Sequence, residues 1–296
     1  MNRLCAWTVG LGFTLAASLS AAAPSSEQRF TLGVAPADSV LSYRTPAGRY
    51  VGFHVAVCER IAQAHARASG QPQTLAHEEA SGEAAVTRVA SGELKLHCGA
   101  TTNTPDALEQ VDFLPTTLVR ENRLAVQASS RITTTDDLEG RRIAAIAGSH
   151  AAQALRRVLF QEHVNASIVK VTALSDVLDL LARGEVEAGL VETDVAVTKL
   201  MHAHTTPPLS LRFIGPEVFR EPLGIMVSRQ PGLLRELAYR HVMDMMASGE
   251  MAELHREWFE RPIAAPLRQL DLPASAATQR MWERPNPQPL FPKNQY

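Results

Sequence analysis

The chain has 296 residues, of which 45% are apolar, 20% charged and 5% aromatic. That is too apolar for disorder and long enough for two domains or one large one. Its 31 acidic and 29 basic residues give a formal charge of −2; with no Lys/Arg block, this argues against a general nucleic-acid binder.

The chain opens on MNR, then LCAWTVGLGFTLAASLSAAA. A short basic start, an apolar run and small residues read as a secretory signal peptide over residues 1–22, with Ser20-Ala21-Ala22 before a cut at Ala23. The alternative is an uncleaved anchor. Cys5 precedes the apolar run and is no lipid-attachment cysteine. No later stretch reaches about 18 uninterrupted apolar residues, so the mature chain is expected to be soluble. Export implies an oxidising compartment. Cys58 and Cys98, the two cysteines left after cleavage, read either as one disulfide or as two buried thiols.

From residue 30 strand and helix signals alternate, the pattern of an α/β protein with parallel sheets. Residues 30–34 predict a strand. Phe53, Val57, Ile61, Ala64 and Ala68 make a helical stripe that Gly70-Gln71-Pro72 stops. A strand over 73–76, a helix over 84–91 and a strand over 94–98 follow, then a loop of small polar residues over 99–103. Residues 118–126 are extended. A second α/β unit comes next, with strands at 142–147, 167–171 and 187–191. Helices start at Gly148-Ser149-His150, at Ser175 and at Asp194, Ser149 being a good N-cap. A second extended segment covers 223–228, then two helices carry Leu234, Leu237, Val242 and Met245, and Met251, Leu254 and Trp258. The rest is rich in Pro and reads as an extended tail, packed through Trp282 and Phe291. Two extended segments, one leaving the first unit and one returning, predict two lobes on a pair of hinge strands. Lobe 1 takes residues 23–120 and 228–265, lobe 2 residues 121–227, and the tail 266–296. Ligands of open α/β sheets sit beyond the carboxyl ends of strands, so the loops after the strands should face the cleft.

Several segments carry a resemblance in order: GFHVAVCERIA at 52–62, ASGELKLHCGATTN at 90–103, DLEGRRIAAIAGS at 137–149, LLARGEVEAGLVETD at 180–194 and ASGEMAELHREWFERPI at 247–263. The set resembles the family 3 solute-binding proteins, type II periplasmic receptors of amino-acid ABC importers, and within them the glutamate/aspartate-binding branch. The resemblance implies a two-lobed α/β fold, a periplasmic monomer, a small ligand between the lobes, a membrane permease as partner, and no cofactor or catalysis. It also exposes departures. The arginine with which the family clamps a ligand carboxylate falls at Ala107, and the further arginines of the glutamate branch fall at Ala35 and Ala85. A charge-assisted hydrogen bond contributes roughly 1.5–3 kcal/mol. Three lost contacts amount to roughly 4–9 kcal/mol, against about 8 kcal/mol for a micromolar ligand. Ordinary glutamate recognition is therefore expected to be lost unless another arginine serves, Arg120 at the hinge being best placed.

The candidate binding residues are Asp38, Tyr43, Thr101, Thr102, Arg120, Ser149, His150 and Glu192. Ser149 and His150 open a helix, where anions are favoured. Glu192 stands where the resemblance implies the ammonium-binding acid. All but Arg120 have a plainer reading: Asp38 as a turn cap, Tyr43 as core, Thr101 and Thr102 as loop ties, Ser149 as a simple N-cap, His150 and Glu192 as surface groups. The acidic bias points to a cationic or amine ligand without a carboxylate clamp. Two other readings stand beside it. One is a degenerate paralogue that binds a protein partner or serves a sensor. The other is an exported dehydratase-like enzyme on the same scaffold, for which Glu192 or Glu79 would be the acid. No His/Cys/Asp/Glu spacing suits a metal.

Overall fold

The computed structural model describes residues 28–35, 39–202, 209–263 and 270–286. Residues 1–22, read above as a signal peptide, and Asp38 lie outside the described residues, as does Phe291. The first half builds β1 (Gln28–Val34), a small hairpin of β2 (Tyr43–Arg44) and β3 (Tyr50–Val51), α1 (Phe53–Ser69), β4 (Gln73–Glu79), α2 (Gly82–Ala90), β5 (Leu96–Thr102) and β6 (Val111–Phe113). The crossing strand β7 (Leu118–Gln127) leads into β8 (Arg142–Ile146), α3 (His150–Gln161), β9 (Ser167–Val171), α4 (Leu174–Ala182), β10 (Ala188–Glu192) and α5 (Thr193–His202). The long β11 (Leu211–Ser228) returns to α6 (Leu233–Ala247), α7 (Glu250–Phe259) and α8 (Ala276–Glu283).

α1 forms where the stripe predicts it: Phe53, Val57, Cys58 and Ile61 are buried, and Gly70 at φ 65° closes it in the left-handed region. One sheet runs through both halves in the order β4-β1-β5-β11-β7-β10-β8-β9. The parallel strands β1, β4 and β5 form one wing and β8, β9 and β10 the other. β7 and β11 pair with each other antiparallel and join the wings.

Register aims both wings at one place. β5 runs antiparallel to β11, and its last residue Thr102 lies opposite Leu223. β10 runs antiparallel to β7, and its last residue Glu192 lies opposite Asn122. Arg120 pairs with Glu221 between these two points. The carboxyl ends of both parallel sets thus converge on the crossing, where such sheets place ligands.

Each wing has its own core. Phe30, Leu32, Phe53, Ile61, Ile225 and Val242 belong to the first. Ile143, Leu155, Leu190 and Ile214 fill one face of the second wing, and Val177, Leu181 and Val191 the other. Within the first core Cys58 of α1 and Cys98 of β5 are joined by a disulfide, with their Cα atoms 6.2 Å apart.

Three expectations change. The polar stretch after Cys98 is strand as far as Thr102, because its backbone pairs with Leu223 and Gly224 of β11. β11 is longer than the predicted 223–228 and pairs with β7 from Leu211, with a register shift between Ile214 and Phe219. It meets β5 at Leu223 and Gly224. The tail is not extended throughout. Ser275 caps α8, accepting from the Thr278 N–H at 3.2 Å, and Trp282 is buried in the first core.

Candidate functional site

At the centre of the crossing stands Arg120, with a side chain only 6% exposed. β7 places it opposite Glu221, and α5 begins beside it. Its Nε and Nη2 donate to the two oxygens of Asp194 at 2.8 and 2.9 Å. Its Nη1 lies 3.1 Å from Glu192 Oε2 and 3.9 Å from Glu221 Oε2. Three carboxylates therefore surround one guanidinium. Burial, with the charges of Glu221 and Asp194 nearby, holds the Glu192 carboxyl above the ordinary carboxylate range against the pull of Arg120. The Arg120 guanidinium stays charged: burial disfavours its charge, but Asp194, Glu192 and Glu221 together hold its pKa above the ordinary value.

The other donors at the crossing are also engaged by the protein. His97 of β5 is buried, and its Nε2–H donates to the Ala80 carbonyl at 3.0 Å. That fixes Nδ1 as an acceptor, so the Thr101 hydroxyl, 3.0 Å away, gives its proton to the ring. Two glycines make room for this ring: a Cβ on Gly99 would lie 2.5 Å from His97 Cε1, and one on Gly33 2.8 Å from Cδ2. The Thr102 hydroxyl points to Glu221 at 3.5 Å, and Asn122 Nδ2 donates to the same carboxylate at 3.2 Å. In the second wing Ser149 caps α3, accepting from the Ala152 N–H at 3.1 Å, and spends its hydroxyl proton on the Ile146 carbonyl at 2.9 Å. A hydroxyl that has given its proton away keeps only lone pairs for a ligand. It can receive an ammonium N–H and cannot donate to a carboxylate.

His54, at the start of α1, bolts the first wing to the crossing. Its Nδ1–H donates to the Gly99 carbonyl at 2.9 Å, and its Nε2 accepts from the Thr117 hydroxyl at 2.8 Å. Burial pushes its pKa down to about 4, so the ring is neutral.

The candidate residues separate into groups. Arg120, Glu192, Thr101 and Thr102 gather at the crossing. Ser149 and His150 stand at the amino end of α3, the exposed His150 ring being tilted against Phe219 with centroids 6.3 Å apart. Tyr43 packs in the first core: it is 3% exposed, edge-on to Trp258, and burial pushes its phenol up to about 12. Its apolar ring is buried in the first core, and its hydroxyl has no partner there. Ala85 likewise faces the core at 1% exposure, so an arginine at that position would enter the core instead of the cleft. Ala35 follows β1 at its carboxyl end, and Ala107 opens a single turn of 3-10 helix. Arg120, expected as a substitute carboxylate clamp, has its fork closed by Asp194.

Sequence reasoning overlooked Asp194, Glu221 and His97. Asp194, two residues beyond Glu192 in VETD, looked like an ordinary acid in a helix's first turn. Glu221 lies in a stretch whose Gly215-Pro216 and alternating charges hide a strand. His97 reads as one polar residue in a short strand. Among the described residues no group of three or more His, Cys, Asp or Glu side chains is arranged to hold a metal, and no helix is long and apolar enough to cross a membrane.

Comparisons with known proteins agree with this architecture. The L-glutamate/L-aspartate-binding protein of Pseudomonas aeruginosa is 22% identical over 257 residues, covering 86% of this chain and 84% of its own. An ancestral arginine-binding protein solved with arginine superposes at a TM-score of 0.55 with 20% identity, covering 79% of this chain and 99% of its own. The probable amino-acid ABC transporter extracellular-binding protein ytmK of Bacillus subtilis superposes at 0.65 with 13% identity, covering 78% and 97%. These structural likenesses carry the type II periplasmic binding fold. A family model matches residues 30–261. The chain belongs to the bacterial extracellular solute-binding proteins, family 3.

Proposed function

We propose that this protein is an exported, monomeric receptor that captures a small amine or cationic amino acid-like solute where its two wings meet and delivers it to a membrane permease. The binding is non-catalytic and needs no cofactor. The observation that carries this reading is the balance of donors and acceptors at the crossing. Glu192, Asp194 and Glu221 share one guanidinium, while the hydroxyl protons of Thr101 and Ser149 go to His97 and Ile146. Such a site attracts a cation and offers little to a carboxylate. Family membership supports the role of receptor, and the basic, apolar opening segment supports export to the periplasm.

Calorimetry with diamines, guanidines, basic amino acids, glutamate and aspartate tests the reading. Binding of the amines, with glutamate and aspartate silent, is the expected result; tight glutamate binding refutes it. Mass spectrometry of small molecules released from purified, denatured protein should return an amine.

One observation favours a second reading. Arg120 Nη1 already lies 3.1 Å from Glu192, so the chain partly fills its own cation position. A paralogue that gave up solute for a protein partner would look like this. It predicts silence across the whole panel and capture of a partner by the intact protein.

A further inference from the structure

We propose that Asp194 is a positioning residue for cation capture: by taking the fork of Arg120, it keeps the guanidinium from closing over Glu192 and leaves that carboxylate open to the ligand. The proposal rests on the amine reading given above. Asp194 stands in the first turn of α5, and its side chain is only 8% exposed. Both of its oxygens are taken by Arg120, through Nε and Nη2. A fork of two parallel, charge-assisted bonds fixes the plane of the guanidinium as well as its place.

Held in that plane, Arg120 can turn only Nη1 toward the remaining acids. That one nitrogen is 3.1 Å from Glu192 and 3.9 Å from Glu221, so it neutralises neither completely. The contact to Glu192 runs through Oε2, and the Glu192 side chain keeps 31% of its surface exposed. Without Asp194, Nε and Nη2 would be buried without an acceptor. The nearest carboxylate is Glu192, and turning the fork onto it would satisfy both nitrogens. The acid that meets the ligand would then be paired internally, and the cation would have to displace a guanidinium.

The test compares Asp194→Asn, Asp194→Glu and the double variant Arg120→Met/Asp194→Asn with the wild type. The probes are 1,4-diaminobutane, agmatine and L-lysine, read by calorimetry. Asp194→Asn is expected to weaken the amine that binds wild type best by about tenfold or more, the worth of one charge-assisted contact. The double variant, which removes the guanidinium along with its partner, is expected to bind the amine more tightly than Asp194→Asn does. A merely structural ion pair predicts that the double variant is no better than the single one, and that outcome overturns the proposal. Asp194→Glu keeps the charge and serves where Asp194→Asn fails to fold. It should retain affinity to within about threefold, and a loss as large as tenfold would also overturn the proposal. A crystal structure of Asp194→Asn separates this proposal from the amine reading. Silence of all three probes on wild type defeats the amine reading. Arg120 swung onto Glu192 supports the positioning role, and Arg120 left in place defeats it, whichever probes bind.

Discussion

Under the proposed function Glu192 combines a cost in stability with a use in binding. Its carboxyl is held above the ordinary range by burial and by Glu221 and Asp194. The folded protein therefore holds the Glu192 proton more tightly than the unfolded chain does. For an acid shifted in this direction, the stabilising contribution is present at pH below the unfolded value and is lost as pH rises through the folded one. The ionised form of Glu192 thus works against folding, although it is the form that would serve a cation. Glu192→Gln is expected to unfold at the same temperature as wild type or higher at pH 7, and to bind amines at least about tenfold more weakly. Wild-type affinity should fall as pH is lowered into the raised range of Glu192, and the variant's weaker affinity should be flat there. Scanning calorimetry at pH 7 and binding titrations over a series of lower pH values check both halves. A variant that is destabilised and still binds normally would remove Glu192 from the site. Glu192 and Arg120 were legible in the sequence because each lies at the end or entry of a recognisable strand. Their relation was not: Asp194 is 74 residues from Arg120, and only the folded register shows which acid takes the fork.

The elements that surround the crossing were legible wherever periodicity is strong, and obscure where tertiary pairing overrides local signals. The stripe Phe53, Val57, Ile61 declares α1, and Ser167–Val171 is a strand in sequence and structure alike. Gly99-Ala100-Thr101-Thr102 has a loop's composition and becomes strand only because β11 offers it a partner. α8 is the clearest case. It is short and follows a Pro-rich stretch, yet it covers a sheet edge. β10 pairs with β7 only from Asn122 onward, so Val119 has no strand on that side. The Thr278 side chain stands in for one: its hydroxyl accepts from the Val119 N–H at 3.0 Å and donates to the Val119 carbonyl at 3.3 Å. Trp282 Nε1 adds a bond to the Thr117 carbonyl at 2.9 Å. Exposed strand edges invite mispairing, and a helix laid over one removes the hazard. Thr278→Val keeps the shape and leaves both backbone groups buried without a partner, which should destabilise the protein by about 1–3 kcal/mol for each unsatisfied group. Thr278→Ser, retaining the hydroxyl, should lose less than half as much. Urea denaturation of the two variants decides the matter: a Thr278→Ser loss as large as that of Thr278→Val would show that the methyl group contributes as much as the hydroxyl bonds, and a larger one that the methyl group dominates.

At the scale of the whole molecule, two separate cores share one sheet and meet across two strands. Among the described residues β7 and β11 join the wings within the sheet, so the closure that the proposed function calls for is a rotation about this pair, with little repacking of either core. The charges are divided so that such a motion has a purpose. Glu192 and Asp194 belong to the second wing, Glu221 and Arg120 to the joining strands, and Thr101 and Thr102 to the first wing. A cation seated on Glu192 would relieve repulsion among the three carboxylates and could draw in the lone pairs of Thr101 from the opposite side. On the proposed reading closure depends on the ligand, since Asp194 already holds the fork of Arg120. An amine present at 100 times its dissociation constant should stabilise the fold by about 2.7 kcal/mol. Small-angle scattering under the same conditions should show a smaller radius of gyration than the ligand-free protein has. Glu192→Gln at the same amine concentration should show neither the compaction nor the full stabilisation. A wild-type protein that gains stability while its scattering profile stays unchanged would mean that the wings do not rotate and that the solute enters a site already formed.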